Sequence, residues 1–247
     1  KTKAIMPVHL NGLPSSMKEI CKIAKKNKLK IIEDSAQAIL SKYGNKYVGT
    51  IGDVGCFSMH PTKNLGVAGD GGFVVTNNKK IHKKIKIIAN HGVNNKGDLV
   101  MVGRNSRLDE IQAEFILHRI KYLKKDIKRI IEIAKLYNSS LKKFVKIPKI
   151  YLKNKLIHTY HRYVITLKNK VERDLLKKFL EKNQIECKIH YPKPIHKYRC
   201  FSKYSFTKKL KISEDQSNKI LSLPCNHFMS EKEVKFVVKK IKQYFLK

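Results

Sequence analysis

The 247-residue sequence predicts an α/β protein: a large domain on a parallel sheet over residues 1–122, then a linking helix and a smaller α+β domain over 123–247. Three observations predict it. An apolar run, an amphipathic stripe and a second apolar run succeed one another between Ala4 and Ile32. That is a β-α-β unit, and such units imply parallel strands joined by right-handed crossovers. Two apolar runs end in polar side chains, near Asp34 and Ser58, as strands do when their carboxyl ends face a ligand crevice. A long helical pattern breaks around Pro148, and shorter, mixed elements follow it.

Ala4 to Leu10 reads as the first strand, ending near Asn11 and Gly12. Pro14, Ser15 and Ser16 form a helix-start signal. Met17, Ile20, Cys21, Ile23 and Ala24 then recur at helical spacing over Met17 to Lys28. Leu29 to Ile32 is the second strand. Tyr43 to Tyr47 reads as a turn between two short extended pieces. Val54 to Met59 and Phe73 to Thr76 read as strands. The stretch between them, with Gly66, Gly69, Gly71 and Gly72, reads as a loop that lets backbone pass close to a ligand. Asn77 to Asn90 reads as a helix and Gly92 to Arg104 as irregular. Ser106, supported by Asp109, reads as the N-cap of a long helix, with apolar positions from Leu108 to Tyr137. Downstream, the residues from Tyr160 to Ile165 alternate as a strand does. Residues 171–183 read as a helix, Tyr191 to Pro194 as a turn and Glu231 to Leu246 as the last helix.

Lys and Arg number 54 against 19 Asp and Glu, a formal net charge of +35. The excess is nearly all lysine and is spread along the chain, often at helix-face spacing as in Lys79-Lys80 and Lys83-Lys84. It reads either as solvated surface or as the footprint of an anionic partner. Nucleic-acid binding lacks a supporting arginine or aromatic motif, since bidentate phosphate reading favours arginine. Neither a nucleic-acid nor a membrane partner is expected, and no apolar run reaches spanning length. The five cysteines, Cys21, Cys56, Cys187, Cys200 and Cys225, are odd in number and lack C-x-x-C spacing. They fit a reducing, cytoplasmic compartment with thiols as small core groups, and no metal site is expected.

The chemistry concentrates in Ile32 to Gln37 and Phe57 to Asn64. Each segment follows an apolar run and becomes polar where the strand should stop. One supplies Asp34, the other Lys63. A carboxylate and an amine at neighbouring strand ends are what a pyridoxal phosphate enzyme needs: the amine bonds the aldehyde, and the acid keeps the pyridine nitrogen protonated. Plainer readings stand beside this one. By composition alone Lys63 reads as a surface lysine, Asp34 in isolation reads as a helix cap, and Ser58 reads equally as a strand hydroxyl bonded to backbone. Yet Lys63 follows a buried strand and a His-Pro-Thr turn, where desolvation makes an amine a usable nucleophile. A buried carboxylate at Asp34, beside Gln37, requires a charged or protonated partner. Ser58 could donate to a phosphate.

These segments, with others in the same order, resemble the DegT/DnrJ/EryC1/StrS sugar aminotransferases, pyridoxal phosphate enzymes of the aspartate aminotransferase fold type I. PVHLNG at 7–12, IIEDSAQA at 31–38 and GCFSMHPTKNLGVAGDGGFVVTN at 55–77 carry the resemblance. So do GRNSRLDEIQAEF at 103–115, HTYHRYVI at 158–165, HYPKPIH at 190–196 and ILSLPCNHFMSEKEV at 220–234. The last three match the family's C-terminal domain pattern. The stretch after Gln37, Ala-Ile-Leu-Ser, departs from the family's small-residue turn.

The resemblance implies pyridoxal 5'-phosphate as cofactor, with Lys63 bonding its aldehyde and carrying the transferred proton. Asp34 would pair with the pyridine nitrogen, Gln37 would lie against the ring and Ser58 would bind the phosphate. It implies a homodimer with shared active sites, in which Asn105 reaches the neighbouring subunit's phosphate; Arg107 reads as structural or site-facing. His190, Tyr191 and His196 would border the sugar-nucleotide pocket, or are packed loop residues. The implied activity moves an amino group from glutamate to a nucleotide-linked keto-hexose, 3-keto slightly favoured over 4-keto, for amino-sugar and surface polysaccharide biosynthesis. The family's Gly-Thr-type phosphate loop and ring-stacking aromatic have no counterpart here. The resemblance therefore implies a PLP-binding domain incomplete at its N-terminus. It leaves open a truncated, catalytically incomplete chain that is non-enzymatic or needs a partner.

Overall fold

A computed structural model describes residues 1–148, 155–204 and 209–246. The chain divides into two compact units. The first holds Lys1–Lys128 and a return segment ending at His161; the second starts at Arg129 and resumes at Arg162.

The first unit opens with β1 (Ala4–Ile5), α1 (Met17–Lys26) and β2 (Lys30–Asp34). Strand β1 is shorter than the sequence predicts, because Pro7 has no N–H to give to a ladder. Extended pairing resumes at Val8, which bridges Asp34. The Asp34 N–H donates to the Pro7 carbonyl at 2.9 Å, and the His9 N–H donates to the Asp34 carbonyl at 3.0 Å. Helix α1 buries Met17 and Ala24 against Ile31, with Ile5, Ile20, Cys21 and Leu29 packed around them. Ile23, placed on the stripe from sequence, is 52 % exposed: residues 17, 20, 21 and 24 share a face that 23 does not. Burying an aliphatic side chain of this kind contributes about 1.5–3 kcal/mol.

Next come the hairpin β3 (Lys42–Tyr43) and β4 (Lys46–Tyr47), then β5 (Val54–Ser58), β6 (Gly72–Val75) and α2 (Lys79–Ala89). The main sheet has the order β1-β2-β5-β6. Strands β1, β2 and β5 run parallel as predicted, but β6 pairs antiparallel to β5, so the sheet is mixed. Helix α2 is capped by the Asn78 side chain, which accepts from the Lys80 and Ile81 N–H groups.

Helix α3 (Glu110–Leu141) starts three residues later than an N-cap at Ser106 predicts. The Ser106 N–H is committed to the Ala89 carbonyl at 2.9 Å, and the Asp109 carbonyl accepts the N–H groups of Gln112 and Ala113. The chain thus stays tied to the end of α2 through Ser106, and the helix begins after Asp109.

The second unit contains β7 (Tyr163–Thr166), α4 (Lys170–Lys182), α5 (Lys211–Lys219), β8 (Ile220–Leu223) and α6 (Glu231–Phe245). Strands β7 and β8 pair antiparallel. The end of α3 presents Tyr137 to Tyr163, ring centroids 4.9 Å apart. Leu176, Leu180, Leu221 and Ile241 are fully buried. Ser230 and Glu233 form a capping box on α6, a reciprocal pair that satisfies two orphan N–H groups. Helix α5 and strand β8 have no counterpart among the elements that the sequence pattern predicts. Among the described residues, no helix is long and apolar enough to cross a membrane.

Candidate active site

Parallel pairing of β2 with β5 places Asp34 opposite Cys56, so both strands end at the same edge of the sheet. Asp34 is the last residue of β2 and Ser58 the last of β5. Lys63 follows in the loop out of β5. Its own N–H donates to the His60 carbonyl at 2.8 Å, closing a turn. The base of that loop is tied twice at Met59, whose N–H donates to Gly71 and whose carbonyl accepts from Val67. Leu65 and Val67 are buried and anchor the loop from inside. The Ala68 N–H donates to Gln112 Oε1 at 2.9 Å, so the first turn of α3 steadies its far side.

The Asp34 Oδ1 accepts the Ala36 N–H at 3.0 Å, an Asx turn rather than the helix cap of the plainer reading, since the next element is strand β3. Burial, and then the Asp34 carboxylate, push the Cys56 thiol above its ordinary value. Gln37 is oriented by its Oε1, which accepts the Asn11 N–H at 2.7 Å; its amide N–H groups stay available as donors. The Ser58 Oγ accepts the His60 N–H at 3.3 Å and keeps its own proton to give. Asp34, Gln37, Ser58 and Lys63 are thus carried by two adjacent strand ends and the loops that follow them.

Behind this edge lies a buried polar knot that sequence reasoning missed. Glu33 and His9 are both 0 % exposed and meet at 3.0 Å. The Glu33 carboxylate also accepts the N–H groups of Gly49 at 2.8 Å, Ile51 at 2.7 Å and Gly52 at 2.6 Å. Burial pushes its pKa up. The bonds from His9, Gly52, Gly49 and Ile51 outweigh burial and hold it below the ordinary carboxylate value. The His9 Nδ1 accepts the Ser15 N–H at 3.0 Å, which assigns the ring proton to Nε2, facing Glu33. The signal was legible after all: on a strand, Ile31 and Glu33 share one face, and Ile31 is core.

Asn105 is exposed, and its Oδ1 accepts from Arg107 Nε at 3.2 Å. His190, Tyr191 and His196 belong to the second unit. His190 Nδ1 meets Ser222 Oγ at 2.9 Å. Burial, then the charges of Arg162 and Lys188, pull the His190 imidazole down to about 4, so it is neutral at physiological pH. The Tyr191 hydroxyl accepts from Arg162 at 3.2 Å, and His196 Nε2 pairs with Glu214 at 3.0 Å.

A carboxylate, an amide, a hydroxyl and a lysine at one strand edge of an α/β sheet form a donor set that fits pyridoxal phosphate. The acid matches a pyridinium, the amine an aldehyde and the hydroxyl a phosphate oxygen. The comparisons with known proteins agree with this class. Residues 1–242 match the DegT/DnrJ/EryC1/StrS aminotransferase family, and the chain belongs to that family. It is 38 % identical over 245 residues to a dTDP-3-amino-3,6-dideoxy-alpha-D-galactopyranose transaminase of Aneurinibacillus thermoaerophilus, covering 99 % of this chain and 66 % of that protein. The crystal structure of a DegT DnrJ EryC1 StrS aminotransferase from Brucella abortus superposes with a TM-score of 0.94 at 36 % identity, over 99 % of this chain and 65 % of that one. NtdA from Bacillus subtilis with bound cofactor PMP gives 0.89 at 28 % identity, over 100 % and 57 %. The chain therefore spans about two thirds of the length of the curated relatives it matches, and it has the α/β fold of these aminotransferases.

Proposed function

We propose that this chain carries the lysine half of a pyridoxal phosphate-dependent aminotransferase site that acts on a nucleotide-linked keto-sugar. The observation that carries the proposal is the shared edge of β2 and β5, which gathers Asp34, Ser58 and the Lys63 turn. When bound, pyridoxal phosphate supplies an aldehyde that takes up and gives back an amino group, and a ring that spreads the electron pair released at the donor's α-carbon. The Asp34 carboxylate would hold a proton on the pyridine nitrogen. Gln37, fixed through Asn11, would present its amide to the ring's edge. Ser58 would donate its hydroxyl to the phosphate. Lys63 Nζ would hold the cofactor in the resting enzyme and, once displaced by the incoming amine, move the proton on and off the donor carbon. A positioned base of this kind contributes about 10²–10⁴-fold.

Glutamate as donor and a 3-keto-hexose as acceptor complete the reading. The 3-amino product named for the Aneurinibacillus relative supports the 3-position. A homodimer, with Asn105 reaching the neighbouring site, and a cytoplasmic setting go with it; the exposure of Asn105 suits such a reach. The test is a coupled assay. The chain is loaded with pyridoxal phosphate and given glutamate, then dTDP- or UDP-linked 3-keto- and 4-keto-hexoses, with 2-oxoglutarate and amino-sugar followed by mass spectrometry. Release of 2-oxoglutarate with amination of the 3-keto sugar is expected. Amination of only the 4-keto series would overturn the 3-position, and no amine transfer from glutamate would overturn the donor.

A further inference from the structure

One short segment ties the loops of the site together from far along the chain. The return segment His158–Tyr160 is buried throughout, with Thr159 at 0 % exposure, and it belongs to the first unit. It is pinned at its entry, where Ile157 and Lys42 exchange both backbone bonds at 2.9 and 3.1 Å. Thr159 uses every polar group it has. Its N–H donates to the Gly12 carbonyl at 3.1 Å. Its hydroxyl meets Ser41 Oγ at 2.7 Å, and that Ser41 also donates to Gly12 at 2.7 Å. Its carbonyl accepts the Asn64 side-chain amide at 3.0 Å. Gly12 is next to Asn11, which orients Gln37. Asn64 is next to Lys63.

The contact with Gly12 leaves no room for a side chain. Gly12 has φ +91°, and a Cβ there would lie 2.8 Å from the Thr159 hydroxyl. The segment is also stiff within itself. The His158 and Tyr160 rings stack with centroids 3.7 Å apart, and the Tyr160 N–H donates to His158 Nδ1 at 3.0 Å. A buried strap whose Thr159 carbonyl holds the neighbour of Lys63 is more than a linker.

We propose that Asn64 is a positioning residue for Lys63: its amide, anchored on the Thr159 carbonyl, fixes the turn that presents the lysine to the strand edge. The role rests on the reading of Lys63 as the cofactor-bonding amine, but the geometry can be tested without the cofactor. The chain's many lysines serve as internal standards. Wild type, Asn64→Ala and Thr159→Ala are acetylated briefly with acetic anhydride, and each lysine's rate is read by peptide mass spectrometry. Lys63 is then compared with the exposed Lys83 and Lys84 of α2. Asn64→Ala should change the relative rate at Lys63 by about fivefold, the effect of one ordinary hydrogen bond. Thr159→Ala retains the carbonyl and should leave that rate within about twofold. Asn64→Ser, whose hydroxyl is too short to reach Thr159, replaces the alanine variant if that one does not fold.

A parallel experiment adds pyridoxal phosphate and borohydride. Trapping at Lys63 should slow in Asn64→Ala and persist in Thr159→Ala. An unchanged Lys63 acetylation rate in folded Asn64→Ala overturns the positioning role. Absence of trapping on Lys63 in wild type overturns the cofactor reading, while the acetylation rates still decide the role of Asn64.

Discussion

Replacing Glu33 by glutamine tests the buried knot behind the site. The carboxylate accepts four donors, two on each oxygen: His9 at 3.0 Å and Gly49 at 2.8 Å on Oε2, Ile51 at 2.7 Å and Gly52 at 2.6 Å on Oε1. Glutamine keeps one oxygen and turns the other into an NH₂ that faces two donors. Flipping the amide only moves the conflict to the other pair. His9 cannot become the acceptor, because its Nδ1 already takes the Ser15 N–H. Two bonds to a charged acceptor are lost, each worth about 1.5–3 kcal/mol, so Glu33→Gln should cost about 3–6 kcal/mol. For a chain of this size that lowers the melting temperature by roughly 10–20 °C. Thermal melts followed by circular dichroism measure the loss, and hydrogen exchange locates it: protection at Gly49, Ile51 and Gly52 should fall together. A melting change under about 2 °C, with protection at those amides intact, would refute the reasoning.

Three further outcomes follow from the geometry. His158 is held neutral, because burial pulls its imidazole down to about 3 against an ordinary 6.5. Its contribution is complete above pH 6.5 and is lost as pH falls toward 3, about 4–5 kcal/mol in all; in urea titrations across that range, His158→Gln should flatten the slope. Gly55→Ala would put a Cβ 2.0 Å from the Gly49 carbonyl oxygen, backbone against backbone, and should destabilise by more than about 3 kcal/mol; a soluble variant with wild-type melting would contradict the packing. Asp34→Asn can keep the acceptor for the Ala36 N–H and should fold normally, yet lower amine transfer by about 10²–10³-fold through loss of the charged partner, read by single-turnover kinetics with glutamate.

The strand ends at Asp34 and Ser58 are legible in the sequence because apolar runs stop near them and polarity changes where a strand ends; Lys63 is legible only as a lysine in the loop that follows. The direction of β6 is not legible there, since a glycine-rich loop of about a dozen residues serves a wide hairpin as well as a crossover. Helix α5 escapes notice because its nine residues, Lys211–Lys219, are mostly polar and bury only Ser217. Glu33 could have been found: it shares a strand face with core Ile31, so it must be buried and must have partners. The identity of those partners depends on how the 49–52 loop folds back. Thr159 and Asn64 stand 95 positions apart, and no local pattern links them. The sequence motif at 158–165 resembled the C-terminal domain of the family, whereas its first four residues pack with the first unit.

The most direct measurement is titration of this chain with pyridoxal phosphate, followed by borohydride reduction and peptide mapping, with Lys63→Ala as control. The account predicts a visible absorption band on binding, one equivalent of label trapped on Lys63, and neither in the control. Label scattered over the surface lysines, or trapping that persists in Lys63→Ala, would contradict it.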